Sequence, residues 1–287
     1  ATDADAMQAA IQLWADAVVV ANPDPNDPGT EIPPTIIASE GRTFLSAVRA
    51  ESGRYEGNPI AFWKFAEGAG ELALDTSRVG PTMNLTLSGE VGWVSGGGLE
   101  FDGGKASSNP TDSRKLYNEL ASGSGVQQYS VESWLIPANT TQEGPARIFS
   151  YSNGTGARNF MLGQTLYSYD FLHRSSSTDA NGAPILQTAA ADEDAQATLQ
   201  HVVLTFDPVN GRRVYVNGVY TQDADPVAGG TLGDWDETFA LVLGNEPSGD
   251  RQWRGVLRLA AVHNRALTAT QVQQNFDAGV GERFYLL

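Results

Sequence analysis

The sequence predicts an all-β protein: two antiparallel sheets packed face to face, with helices only toward the two ends. Three observations carry this. From about residue 60 onward, short runs alternate apolar and polar residues, and period-two alternation turns one face of each strand to a core. The runs are separated by turn formers: the 287 residues hold 31 Gly and 14 Pro against only 18% charged side chains. The clearest run is His201–Tyr220, HVVLTFDPVNGRRVYVNGVY. Val202, Leu204 and Phe206 share one face, and after Asp207-Pro208-Val209-Asn210-Gly211 the alternation resumes with Val214 and Val216. Asn217-Gly218 then gives a second hairpin signal, because both residues tolerate positive φ.

Taken in order, residues 3–20 read as an amphipathic helix, with Met7, Ala10, Ile11, Trp14 and Val18 on one face. Such a stripe needs a partner, so this helix is expected to dock on a neighbouring domain or subunit. Residues 23–34, PDPNDPGTEIPP, break regular structure and read as a stiff linker. Ser39 is placed to cap a short second helix carrying Phe44, Leu45 and Val48. Residues 1–57 therefore form a helical extension and linker, and 58–287 the sandwich. Strands are expected at 61–65, 91–94, 99–101, 128–137, 146–151, 158–162, 166–173, 199–207, 212–217, 239–243 and 253–263. Thr268 caps a last helix that Gly279 stops, and the tail RFYLL is free to add an edge strand or pack on the sandwich. Alternation nominates a core of Trp63, Phe65, Phe101, Val131, Leu135, Phe149, Phe160, Leu162, Val202, Leu204, Phe206, Val214, Val216, Leu241, Leu243, Leu257 and Val262.

The net charge of −16 argues against nucleic acid, whose phosphates would be repelled. With no Cys, disulfides and thiolate chemistry within this chain are excluded. No apolar run is long enough to cross a bilayer as a helix.

Several stretches resemble, in order, the landmarks of LamG-like jelly-roll domains of the concanavalin A-like lectin/glucanase superfamily. They are AFWKFAEGAG (61–70), LDTSRVGPTMNLTLSG (74–89), LEFDGG (99–104), YSVESWLIP (129–137), the 201–219 hairpin, LVLGNEP (241–247) and WRGVLRLAAVHNRALTATQV (253–272). The resemblance implies a jelly-roll sandwich on a secreted or cell-surface bacterial protein. It also implies a structural Ca²⁺ held by acidic side chains of the first turn and the closing strand. Here Arg258 and Leu259 stand where relatives often show Asp-Glu, and Ala66 where an Asp is common. Calcium wants six to eight oxygen ligands, several of them carboxylates. The inherited site is therefore expected to be empty, with Asp75 and Asp102 as candidates for a different rim site. No other cofactor is expected.

Retaining glucanases of the superfamily need two carboxylates about 5 Å apart, which on a strand means positions i and i+2 or i+4. No such pair is present: Asp192-Glu193-Asp194 and Asp234–Glu237 fall in loops. Glu132 is the carboxylate best placed on a central strand, and the bland reading pairs it with an Arg such as Arg213. His173, His201 and His263 lie on three separate strands with no metal-ligand spacing and read as structural. Binding is better represented. Tyr167, Tyr169 and His173 form one polar-aromatic group. Trp235, with Asp234, Asn245, Asp250 and Arg251, forms another. Sugars stack a ring face on an aromatic side chain and bond their hydroxyls to Asp, Asn and Arg, so both groups suit a glycan. The sequence thus predicts a non-catalytic recognition or adhesion module for a carbohydrate or protein ligand. The alternatives are a glycosidase or polysaccharide lyase, or a structural assembly subunit.

Overall fold

A computed structural model of the chain describes residues 23–24, 27–31, 35–39, 42–46, 54, 55, 57, 59–227, 229–280 and 285–286. Two compact units separate, Tyr55–Phe276 on the one hand and Ala1–Arg54 with Asp277–Leu287 on the other.

The larger unit is a sandwich of two antiparallel eight-stranded sheets. Its strands are β1 (Ala61–Trp63), β2 (Leu72–Ala73), β3 (Leu85–Ser88), β4 (Val91–Trp93), β5 (Leu99–Asp102), β6 (Lys105–Ser107), β7 (Tyr129–Pro137) and β8 (Ala146–Gly154). They continue as β9 (Ala157–Thr165), β10 (Ser168–His173), β11 (Leu186–Gln187), β12 (Gln200–Asp207), β13 (Gly211–Val216), β14 (Val219–Tyr220), β15 (Ala240–Leu243) and β16 (Arg254–His263). One sheet runs β11-β10-β9-β8-β15-β6-β3-β2. The other runs β14-β13-β12-β7-β16-β5-β4, with β1 also paired to β16. Every residue nominated for the core by alternation lies in the single large cluster between the sheets.

The central pair β7–β16 carries an irregularity. Trp134 faces Leu259 but Leu135 faces Leu257, so Arg258 is skipped as a bulge. This resolves a conflict in the sequence pattern, which needs Leu257, Ala260 and Val262 inward and a charged residue between them outward. The bulge falls where β16 exchanges partners, from β5 at 254–257 to β1 at 260–262.

Two α-helices belong to the described residues. The first, α1 (Pro110–Leu120), was not foreseen, although its start is written in the sequence. The Asn109 side chain accepts from Asp112 N at 2.9 Å, and Pro110 follows as the first helical residue. The second, α2 (Ala269–Ala278), is the expected C-terminal helix. Thr268 Oγ1 accepts from Gln271 N while Gln271 Oε1 accepts from Thr268 N, a reciprocal cap, and Gly279 follows at φ 66°.

The smaller unit departs from expectation. The helix foreseen at 3–20 lies outside the described residues. Within the stretch read as a linker, Pro23–Asp24 pairs with Asp27–Glu31. In place of the short helix after Ser39, Thr35–Ser39 and Arg42–Ser46 form a hairpin with Ser39 opposite Arg42. Thr35, Ile36, Ile37 and Thr43 are β-branched, and such side chains prefer the strand. From the tail, Tyr285–Leu286 adds the edge strand, beside Phe44 and Leu45.

Candidate functional site

The loop 244–253 joins β15 to β16 and folds over the outer face of β8. Its anchor is Glu246, whose side chain is fully buried. One carboxylate oxygen accepts from Arg147 Nε at 2.7 Å and Arg158 Nη1 at 3.0 Å. The other accepts from Ser150 Oγ at 2.9 Å and from Ser152 Oγ. Ser150 and Ser152 are two apart on β8, Arg147 joins them across a register irregularity between Arg147 and Phe149, and Arg158 comes from the neighbouring β9. Burial, with the neighbouring Arg147 charge, pushes the Arg158 guanidinium down to about 10 against the pull of Glu246. Arg147 N also bonds Arg251 O at 3.0 Å, and Lys105 Nζ caps Pro247 O at 2.6 Å.

Where this loop ends it borders the β7–β8 loop, and the two enclose an open polar cleft of about 290 Å³. Its lining is Asn139, Thr141, Gln142, Glu143, Gln252 and Arg254. The Gln142 amide welds the walls together. Its Oε1 accepts from Arg254 N at 2.7 Å, and its Nε2 donates to Arg254 O at 2.8 Å. Arg254 Nε reaches Asp102 Oδ1 at 3.0 Å across an exposed surface. Thr141, Glu143 and Gln252 are exposed. The hairpin tip between β9 and β10 adjoins the cleft, because Leu166 N donates to Gln142 O at 2.8 Å. That tip presents Leu166 and Tyr167, 43% and 42% exposed. Glu143 is the one carboxylate in the lining, so the cleft has no acid–nucleophile pair. Amides, a hydroxyl, a guanidinium and a neighbouring phenol are what it can offer a ligand.

The residues nominated from sequence divide. Tyr167 is on the surface beside the cleft. Asn245, Asp250 and Arg251 come together in the 244–253 loop: Asn245 Oδ1 accepts from Arg251 N at 3.0 Å, and Asp250 and Arg251 are exposed. Asp234 is exposed elsewhere, on a loop tied to Gln127 and Asn159 at the opposite strand ends. Tyr169, His173 and Trp235 are interior, a correction to their assignment as ligand residues. Trp235 packs its ring 5.3 Å from Tyr129 and 5.8 Å from Phe160, and its indole N–H bonds Arg174 O. Tyr169 and His173 share an inward face with Phe171, and the period of β10 already implied it. Burial, then the Arg212 charge, hold His173 well below the usual histidine range.

Glu132 does not pair with Arg213. It is buried between His201 and His263, while Arg213 donates to Asn210 Oδ1.

The calcium ligands foreseen do not suit a divalent cation. Asp75 accepts from Lys115 Nζ at 2.9 Å and from the backbone N–H of Phe62, Ser77 and Met83. Burial pushes its carboxyl up, but Lys115 and the Ser77 and Met83 donors outweigh that and hold it below the usual range. Asp102 is exposed and meets the Arg254 guanidinium rather than a second carboxylate. Beside the first turn, the Arg258 guanidinium occupies the backbone oxygens of Ser95, at 3.0 Å, and Gly97. Among the described residues no three His, Asp or Glu side chains gather as a metal-binding group.

The architecture is thus a two-sheet antiparallel sandwich of the jelly-roll class with an open polar cleft among its loops. Residues 109–273 match the model of the concanavalin A-like lectin/glucanases superfamily, more than half the chain, and the protein belongs to that superfamily. No curated protein matches it in sequence. Among solved structures it is similar to the binding domain of botulinum neurotoxin serotype D/C VPI 5993, at 14% identity and a TM-score of 0.56. That match covers 77% of this chain and 52% of the other. The binding domain of botulinum neurotoxin DC in complex with rat synaptotagmin II matches at 13% and 0.56, covering 77% and 51%. Botulinum neurotoxin type C, described as dependent on two ganglioside molecules for entering cells, matches at 13% and 0.57, covering 77% and 51%. The chain thus spans about half the length of these structures, and the likeness is one of fold. Among the described residues no helix is long and apolar enough to cross a membrane.

Proposed function

We propose that the chain is a non-catalytic recognition module of a secreted or cell-surface bacterial protein, and that it binds carbohydrate at the cleft between the 138–145 and 244–253 loops. The observation that carries this reading is the composition of that cleft: two Gln, an Asn, a Thr and an Arg around a single carboxylate, with exposed Tyr167 on the adjoining tip. Side-chain amides and a guanidinium donate to sugar hydroxyls, and a phenol ring offers a stacking face. Similar folds whose descriptions name gangliosides or synaptotagmin support a binding role and leave protein as the other ligand class.

The test is a glycan array with the full chain, followed by titration of any hit against Tyr167→Ala and Gln252→Ala. Binding weakened by both changes sustains the reading. A hit indifferent to both, or an empty array, removes it. Release of reducing ends from laminarin, agar, alginate or carrageenan would instead favour an enzyme.

A further inference from the structure

The side chains lining the cleft divide into those bonded within the protein and those left to a ligand. Gln142 is bonded at both ends of its amide, to Arg254 N and Arg254 O. Asn139 Oδ1 accepts from Thr141 N and Thr141 Oγ1, both at 3.0 Å. Arg254 Nε donates to Asp102 Oδ1. Glu143 and Gln252 are the two lining residues whose side chains have no hydrogen-bond or ion-pair partner among the described residues. Both are exposed. The backbone around Glu143 is nevertheless held on either side. Gln142 O accepts from Leu166 N at 2.8 Å, and Pro145 O accepts from Arg147 Nη1 at 2.6 Å. The cleft therefore has an unbonded carboxylate on one wall, carried by a fixed stretch of chain, and an unbonded amide on the other.

The charges around the cleft leave Glu143 uncompensated. Arg254 faces Asp102 at 3.0 Å. Arg251 follows Asp250, and its charge, after the Ser248 hydroxyl, helps hold the Asp250 carboxyl below the usual range. Arg147 and Arg158 share Glu246 beneath the loop, and Lys105 Nζ is bonded to Pro247 O. None of these last three cations lines the cleft. Each cation at its border thus has a carboxylate beside it, and Glu143 is the carboxylate left over. The whole chain adds a field of the same sign, with 34 Asp and Glu against 18 Lys and Arg. A carboxylate only accepts, so its two oxygens suit hydroxyl donors on adjacent carbons, while an amide both donates and accepts. A sugar whose substituents are hydroxyls satisfies both walls. A sugar bearing carboxylate or sulfate sets a second anion against the first, where the cations are already paired.

We propose, on the carbohydrate reading given above, that Glu143 is the specificity-determining residue of the cleft: it accepts the hydroxyls of a neutral glycan and excludes glycans that carry uronate, sialate or sulfate groups. Gln252 takes the same sugar from the facing wall and does not discriminate by charge.

A glycan array carrying matched neutral and acidic members tests this with the full chain and with Glu143→Gln, at low and at moderate salt. The pairs are oligoglucose against oligoglucuronate, oligomannose against oligomannuronate, oligogalactose against oligogalacturonate, and desulfated against native carrageenan fragments. The unmodified chain should bind the neutral member of a pair roughly tenfold or more tighter than the acidic one. Residual binding of the acidic member should tighten as salt screens the repulsion. Glu143→Gln keeps an acceptor and loses the charge, so it should narrow the preference to within about threefold, chiefly by admitting the acidic member. Its melting temperature should match that of the unmodified chain, because the side chain it replaces is exposed and unbonded. Acidic glycans bound as tightly as neutral ones by the unmodified chain overturn the assignment. So does a preference that Glu143→Gln leaves intact, or acidic binding that salt weakens. Those three outcomes leave the carbohydrate reading standing, whereas binding to neither class removes that reading and the role of Glu143 with it.

Discussion

Lys115 Nζ lies 2.9 Å from Asp75 Oδ2, with both side chains out of solvent, and this pair ties α1 to the turn between β2 and β3. Removing one partner of a buried pair strands the other charge. Lys115→Met is expected to destabilise the sandwich by about 3–5 kcal/mol, read as a lowered urea midpoint. Asp75 has a folded pKa below its unfolded value of about 3.9. Its contribution is therefore complete above that value and lost as pH falls through the folded pKa. An acid titration of the variant should lack that component. A midpoint unchanged by Lys115→Met would show that the backbone donors alone hold the carboxylate.

Calcium should not stabilise this sandwich. Melts in millimolar Ca²⁺ and in EDTA are expected to superimpose, since a ligand adds stability only when it binds the folded state. Arg258→Met should cost on the order of 1–3 kcal/mol, because the Ser95 and Gly97 oxygens lose a charged donor, and calcium should not restore it. A rise of many degrees with calcium in the unmodified chain would show that carboxylates and carbonyls can still assemble around an ion.

Phe206 is 1% exposed, and its ring is 3.9 Å from that of His173. Phe206→Ala should cost about 3–5 kcal/mol by opening a cavity between the sheets. His173 is held neutral in the folded state, so the unfolded chain binds the extra proton. Its contribution is present above the unfolded histidine value of about 6.5 and declines below it. His173→Phe should flatten that part of the stability profile. An unaltered profile would place its proton affinity back in the ordinary range.

Trp235 and Tyr167 should behave oppositely. Trp235→Ala removes an interior ring and should lower stability by about 3–5 kcal/mol. Tyr167→Ala should leave the melting temperature within a few degrees while weakening glycan binding roughly tenfold, a loss of about 1.4 kcal/mol. Calorimetry on each variant separates the two roles.

Alternation made the sandwich legible, because one face of each strand must be dry. It located Phe149 and Leu243, which the structure pairs across β8 and β15, without any long-range information. It even exposed the Arg258 conflict that the bulge resolves. What stayed hidden depends on contacts distant in sequence. Glu132, His201 and His263 carry no motif spacing, and only sheet registration brings them together. Tyr169 and Trp235 were misassigned on residue type, because an aromatic in a polar stretch looks available until its strand face is counted. The cleft needed Gln142 and Arg254, 112 positions apart.

Glu246 has a kinetic meaning for recognition. A loop left loose would lose roughly 1–2 kcal/mol of backbone entropy per residue on being ordered by a ligand. Here Arg147, Arg158, Ser150 and Ser152 impose that order during folding, through one carboxylate. A ligand at the proposed binding cleft would meet a wall already set in place. Association should accordingly be a single step limited by encounter, with differences between ligands written in how slowly they leave.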